Sequence, residues 1–263
     1  MNISLRIDAP ALRTAIQTLC TMVSAGGGRA LLVGGCVRDA ALGLPAKAFD
    51  LEVFGIAPAQ LQDLLRERFP LDVVGQAFGV IKLQGLPIDV SMPCRQSTAG
   101  PGQRARDLLS DPSMTFEEAA ARRDFTMNAM AIDPLTQEVL DPYGGLRDLD
   151  ARILRHTSDK FSEDPLRVLR AMQFAARFDL TVAPDTVSLC RTLTPAGLPP
   201  ERLFEEWRKL ILKGLRPSRG LSFLRDCGWV QYFPELAPLS DCPQEPDHHP
   251  EGDVWTHTLH CMD

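Results

Sequence analysis

Hydrophobic positions along this chain change their period several times, and each change marks an element. In residues 8–24, Leu12, Ile16, Leu19 and Val23 recur at helical spacing. Asp8 stands where a cap belongs and Gly26-Gly27-Gly28 ends the run, so the pattern predicts an N-terminal helix that packs and does no chemistry. Leu31-Leu32-Val33 is a short apolar strand, and Gly34-Gly35 turns it sharply into a helix begun by Cys36-Val37-Arg38-Asp39. Phe49-Asp50-Leu51-Glu52-Val53-Phe54 alternates with period two, so Leu51 and Val53 enter the core while Asp50 and Glu52 share the other face.

Residues 58–68 predict a second helix, and 71–75, 80–84 and 88–92 predict short strands separated by glycine turns. Residues 94–113 are rich in Gly, Pro and Ser and carry Arg95, Arg104 and Arg106, which predicts a loop, either a solvated connector or a flap over a substrate. A helix from Thr115 ends at Arg122-Arg123-Asp124, and residues 129–133 and 138–140 predict a hairpin across Pro134-Leu135-Thr136-Gln137. Asp141-Pro142-Tyr143-Gly144-Gly145 is a turn by composition, read as a hinge before a helical region.

In that region residues 163–178 place Leu166, Leu169 and Met172 inward. Glu163, Arg167, Arg170, Phe174 and Arg177 form an outward stripe, with Pro165 at the first helical position. Residues 201–213 predict an amphipathic helix burying Leu203, Phe204, Trp207, Leu210 and Ile211, with Trp207 a core residue. Residues 221–225 extend another helix, and Trp229-Val230-Gln231-Tyr232-Phe233 packs near the end.

Composition limits the function classes. The chain has 263 residues, 44% hydrophobic and 24% charged, with no apolar run of membrane-spanning length and no signal-peptide pattern at its start. Seven cysteines without a CxxC pair argue against a zinc module or a disulfide framework and for a reducing cytoplasm. The net charge of −6 disfavours an RNA partner until its distribution is read. Residues 235–263 hold seven acidic side chains and no Lys or Arg, which leaves 28 basic against 27 acidic groups on the rest. Most basic residues are Arg, which suits paired contacts to phosphates and base edges.

The candidate chemistry lies in two neighbouring motifs. The Gly34-Gly35 turn with Arg38 can cradle phosphates or be plain architecture. Asp50 and Glu52, roughly 7 Å apart at Cα on one strand face, can hold Mg²⁺ ions about 4 Å apart or form a solvated acidic face. Their adjacency favours phosphate and metal chemistry. The motifs GGCVRD and DLE, with RRDFTMNA (122–129), DPYGG (141–145) and EDPLRVLR (163–170), resemble in order the class II tRNA nucleotidyltransferase and bacterial poly(A) polymerase family of the polymerase-β-like superfamily. The likeness covers about residues 29–215. It departs at Glu52, where many members have Asp.

The resemblance implies an α/β polymerase-β-like nucleotidyltransferase head over residues 1–150. An all-helical neck and partial body follows at 151–234, then an acidic linker at 235–263. There Gly252-Asp253-Val254-Trp255-Thr256-His257 resembles the start of an HD phosphohydrolase domain whose remaining motif is missing; no phosphohydrolase activity is expected. The implied function is template-independent addition of C and/or A from CTP and ATP to the tRNA 3′ end, by two-metal phosphoryl transfer with pyrophosphate release.

In the family's roles, Asp50 and Glu52 are the catalytic metal ligands, and Gly34, Gly35 and Arg38 cradle the triphosphate. Arg123 and Asp124 fix the sugar and phosphates, while Asp164 and Arg167, with Arg170 beside them, read the base. Asp164 is equally an N-cap by position, and Asp89, on a neighbouring strand, either assists the metals or takes backbone hydrogen bonds. Poly(A) synthesis, CC-only or A-only addition share these motifs. A non-catalytic RNA-binding remnant and a small-molecule nucleotidyltransferase are the readings from other classes.

Overall fold

The computed structural model describes residues 7–72, 80–96, 108–245 and 247–263. The chain forms two compact units, Met1–Leu146 and Arg147–Asp263.

The first unit begins with α1 (Pro10–Ala25), which buries Ile16, Leu19, Cys20 and Val23. Its cap position is Ala9, with no side-chain bond, and not Asp8 as expected. Pro10, with its φ fixed near the helical value, starts the first turn one residue beyond the acid's reach. Then come β1 (Arg29–Val33), α2 (Gly35–Ala41), β2 (Phe49–Phe54), α3 (Pro58–Arg66), β3 (Leu71–Asp72), β4 (Val80–Leu83) and β5 (Ile88–Ser91). After them lie β6 (Cys94–Gln96), β7 (Leu108–Ser110), α4 (Phe116–Ala120), β8 (Ala131–Ile132), β9 (Val139–Leu140) and the start of α5 (Gly145–Asp150).

Seven strands make one mixed sheet in the order β3-β4-β5-β2-β1-β8-β9. β2 lies antiparallel to β1 and parallel to β5, so Val33, Asp50 and Asp89 stand side by side across three strands. Odd positions of β2 (Phe49, Leu51, Val53) point to one face and even positions to the other. On the even face Leu31, Val33, Phe54, Met114, Ala119 and Ala131 form a cluster under Phe116 and Leu140. Asp50 and Glu52 occupy that same face, next to the end of β1.

The loop expected at 94–113 is corrected at both ends. β6 pairs antiparallel with β7, and Arg95 is tied to Asp111 by an ion pair, because alternate residues there can ladder before the Gly/Pro-rich centre intervenes. Arg104, Arg106 and the flap reading lie outside the described residues, as does the end of the strand expected at 71–75.

In the second unit β10 (Ile153–Leu154) pairs parallel with β11 (Thr181–Val182), on either side of α6 (Leu166–Phe178). The remainder is helical: α7 (Pro184–Cys190), α8 (Pro200–Lys213), α9 (Pro217–Asp226) and α10 (Val254–Met262). α6 packs against both α8 and α9, which widens its buried arc. Leu166, Leu169 and Met172 are buried as expected, and so is Phe174, which the outward stripe had placed in solvent. Pro165 takes the cap position, and the helix proper starts at Leu166.

α8 buries a narrower arc than its apolar pattern predicts. Leu210 and Glu206 are fully buried, the latter paired with Lys209 at 2.8 Å, and Trp207 sets its ring edge-on to Phe233. Phe204 and Ile211, expected inside, are 67% and 57% exposed. The face in contact follows positions 203, 206, 207 and 210, and the flanking apolar residues fall outside its width. No described helix is long and apolar enough to cross a membrane.

Candidate active site

Three chain segments that are distant in sequence converge on one point of the first unit. β1 leads directly into Gly34, whose φ of 70° is readily adopted by a residue without a Cβ. A Cβ placed there would lie 3.0 Å from Arg123 Nη1 and 3.9 Å from Asp50 Oδ2. Backbone, guanidinium and carboxylate therefore surround a space that only glycine leaves open. Arg123 follows α4, whose start is fixed by a reciprocal cap between Thr115 and Glu118. Its Nη2 donates to Glu52 Oε2 at 3.0 Å and its Nη1 to the Asn128 carbonyl at 3.5 Å.

The two carboxylates of β2 have different surroundings. Glu52 is 8% exposed and held by Arg123, while Asp50 is the exposed position of its strand. Partial burial of the Asp50 carboxyl, followed by repulsion from Asp89 one strand away, raises its pKa, against the pull of Arg123 and Lys82. Asp89 itself pairs with Lys82 at 3.4 Å. The donor set is hard oxygen in a place where anionic charge is crowded, which suits a small divalent cation such as Mg²⁺.

Beneath this point runs a buried relay. Arg38, 5% exposed, donates Nε and Nη2 to Asp39 and Nη1 to Asn128 Oδ1 at 2.8 Å. Asn128 Nδ2 in turn donates to Asp124 Oδ1 at 2.9 Å, which also accepts the Phe125 N–H. The sequence suggested an open fork at Arg38 and a ribose-facing carboxylate at Asp124. Each of these side chains is more than nine-tenths buried and is bonded into the relay. Arg38 nevertheless reaches the glycine turn, since its Nη2 would lie 3.6 Å from a Cβ on Gly35. Asn128, within the motif RRDFTMNA, was given no role from the sequence; with Thr126 it is one of two polar side chains in the mostly apolar stretch Phe125 to Ile132.

The base-reading candidates belong to the second unit. Asp164 accepts the Leu166 N–H at 3.2 Å through Oδ1, as a helix start requires, and Arg202 Nη2 at 2.7 Å through Oδ2. One oxygen of the carboxylate thus supports the start of α6 and the other is paired with Arg202. One turn on, Arg167 donates to the Lys160 carbonyl at 2.7 Å, and Arg170 lies over the Phe174 ring at 5.2 Å. Arg202 was not singled out from the sequence, because its partner is 38 positions away.

Residues 30–155 match the family described as the poly A polymerase head domain, and residues 179–239 match that described as the probable RNA and SrmB-binding site of polymerase A. A multifunctional CCA protein of Acidovorax sp. strain JS42 is 39% identical over 241 residues, covering 88% of this chain and 55% of that protein. One from Xanthomonas campestris pv. campestris strain B100 is 42% identical over 234 residues, covering 86% and 56%. Among solved structures, the CCA-adding enzyme of Bacillus stearothermophilus in complex with CTP superimposes with a TM-score of 0.72 at 29% identity, covering 87% of this chain and 55% of that one. The chain thus spans about half the length of the curated relatives it matches. Its motifs, its glycine-gated carboxylate site and these likenesses agree: the chain belongs to the tRNA nucleotidyltransferase and bacterial poly(A) polymerase family.

Proposed function

We propose that this chain transfers C and/or A from CTP and ATP to the 3′ end of tRNA without a nucleic-acid template. The observation that carries this reading is the convergence of Asp50 and Arg123 on the Gly34 backbone, where a Cβ would lie 3.9 Å from the carboxylate and 3.0 Å from the guanidinium. The CCA proteins it resembles and the CTP named with the Bacillus stearothermophilus enzyme support the substrate class. Asp50 and Glu52 would hold Mg²⁺, which when bound supplies a Lewis acid for the attacking 3′-hydroxyl and the departing pyrophosphate.

The chain's own residues do the rest. Gly34 and Gly35 let the triphosphate approach the backbone, with Arg38 at the floor of the turn. Arg123 is shared between Glu52 and the phosphates, so nucleotide entry draws its guanidinium away from the carboxylate. Asp124 fixes the nucleotide indirectly, through Asn128 and the Arg38 relay. Asp164 accepts from the exocyclic amine of cytosine or adenine while Arg167 donates to the adjacent ring nitrogen, and Arg170 flanks them. Guanine and uracil present the opposite pattern, leaving groups unpaired at about 1–3 kcal/mol each. Catalysis belongs to residues 1–150, acceptor handling to the helical stretch 151–234, and the acidic stretch 235–263 lies outside both. Seven free cysteines suit a reducing compartment, and we assign the protein to the cytoplasm.

Incubation with Mg²⁺, each labelled NTP and tRNA transcripts ending before C, at CC or at CCA tests the reading. Incorporation of CTP or ATP by the wild type, lost in Asp50→Ala, is expected. A ladder of A on any RNA would instead make it a poly(A) polymerase. Binding of tRNA with no incorporation above the Asp50→Ala level would leave a non-catalytic RNA-binding protein and overturn the proposal.

A further inference from the structure

The two base-reading candidates at the start of α6 are each tied to a neighbour within their own unit. Arg167 Nη1 donates to the Lys160 carbonyl at 2.7 Å. Asp164 stands in extended backbone, φ −135° and ψ 101°, between the 3₁₀ turn Asp159–Glu163 and Pro165. Its Oδ1 accepts the Leu166 N–H at 3.2 Å, and its Oδ2 accepts from Arg202 Nη2 at 2.7 Å. The first bond alone would let the carboxylate swing, because the last torsion of an aspartate is broad. Anchors from two elements, the backbone that opens α6 and a guanidinium of α8, fix its plane.

The packed face of α8 delivers that guanidinium. Pro199 and Pro200 start the helix, and the Arg202 N–H closes its first turn on the Pro199 carbonyl at 3.0 Å. Residues 202, 206 and 210 stand one above another at spacings of four. Glu206 and Leu210 are fully buried, and α8 packs on α6 along its length. Arg202 ends this stripe with its side chain 47% exposed, against 27% for Asp164. The pair therefore sits at the open rim of the helix contact, where an ion pair adds little to folding but a ligand can approach the carboxylate.

We propose that Arg202 is a positioning residue that sets base specificity: its ion pair holds the Asp164 carboxylate in the one orientation that rejects uracil and guanine. The inference rests on the reading that Asp164 accepts from the exocyclic amine of the incoming base. An ionised carboxylate has about four acceptor positions, so bonds from Leu166 and Arg202 do not stop it accepting from an amine as well. Where cytosine and adenine carry that amine, uracil and guanine carry a carbonyl oxygen. A fixed carboxylate repels that oxygen and leaves it unpaired, whereas a carboxylate held by one bond can turn aside and admit it. Arg202 touches no substrate in this scheme and acts only through Asp164. A lysine in its place would keep the charge but lose the planar fork that defines the angle.

Calorimetric titration of the chain with CTP, UTP, ATP and GTP in Mg²⁺, without tRNA, reads the preference with no turnover required. The wild type is expected to favour CTP over UTP and ATP over GTP. Arg202→Ala should lower both ratios at least about fivefold, mainly by tighter UTP and GTP binding, and Arg202→Lys should restore part of the loss. Its melting temperature should stay close to that of the wild type, which separates this role from a structural tie between helices. Should Arg202→Ala lose helical ellipticity, Arg202→Gln decides, because it keeps the packing of the stem and removes the charged fork. Unchanged ratios in a folded Arg202 variant, beside lowered ratios in Asp164→Ala, would overturn the role of Arg202 alone. Unchanged ratios in Asp164→Ala would overturn base reading by Asp164 and this proposal with it.

Discussion

At the scale of single residues, the site carries a stability cost of its own. The folded pKa of Asp50 is raised above its unfolded value by burial and by Asp89. Between those two values the native state binds more protons than the unfolded chain, so stability falls as pH rises through the window and stays lower above it. Asp50→Asn removes the repelled charge. The variant is therefore expected to melt above the wild type at neutral pH, with the difference vanishing below the ordinary carboxylate range and shrinking when Mg²⁺ is added to the wild type. Nucleotide addition by the same variant should fall at least about 100-fold, since a direct ligand matters no less than an outer one. Melting curves against pH with and without Mg²⁺ check the first part, and a variant no more stable than its parent at pH 7 would contradict it. Arg123→Ala goes the other way: it strands Glu52, 8% exposed, without its charge partner and is expected to cost about 1–3 kcal/mol in denaturant titrations.

At the scale of elements, local pattern and long-range pairing divide what the sequence could reveal. The two-residue spacing of Asp50 and Glu52 fixed their common face, and the apolar run before Gly34 fixed β1, because both depend on neighbours within a few positions. The Arg38–Asn128 and Glu52–Arg123 bonds span 90 and 71 positions, so nothing local distinguished a buried relay from an open anion fork. The same reason explains α8: its apolar stripe was legible, but the width of the arc that α6 leaves to it was not. The contact of α6 with α9 turns on one residue. A Cβ on Gly220 would lie 2.5 Å from the Met172 carbonyl and 3.0 Å from Leu210 Cδ1. Since the first of these is backbone of a packed helix, Gly220→Ala must push α9 outward, at an expected 1–3 kcal/mol, roughly the cost of overpacking. Alanine is the better helix former at an exposed position, so a neutral or stabilised variant in thermal unfolding would show that the two helices do not approach this closely.

At the scale of the whole molecule, the question is how a chain of net charge −6 would hold the polyanion proposed as its acceptor. The acidic excess is segregated: residues 235–263 carry seven acidic side chains and no Lys or Arg, and the preceding residues carry 28 basic against 27 acidic. Non-specific attraction between such a body and RNA is weak, so affinity has to come from guanidinium groups placed against individual phosphates, which release condensed counterions on contact. If the proposed acceptor is right, log affinity for tRNA should fall linearly with log salt, with a slope near −0.7 to −0.9 for each phosphate engaged. A slope of about −3 or steeper is expected from anisotropy titrations over a KCl series. Converting the exposed Glu235, Asp241 and Glu245 to their amides should raise affinity a few-fold at low salt and leave the slope unchanged. Those three charges act on RNA only through the screened field, whereas the slope counts contacts they do not make. A change of slope in the triple variant would mean that the acidic stretch lies at the RNA surface, and a slope near zero in the wild type would mean that phosphates are not what this protein holds.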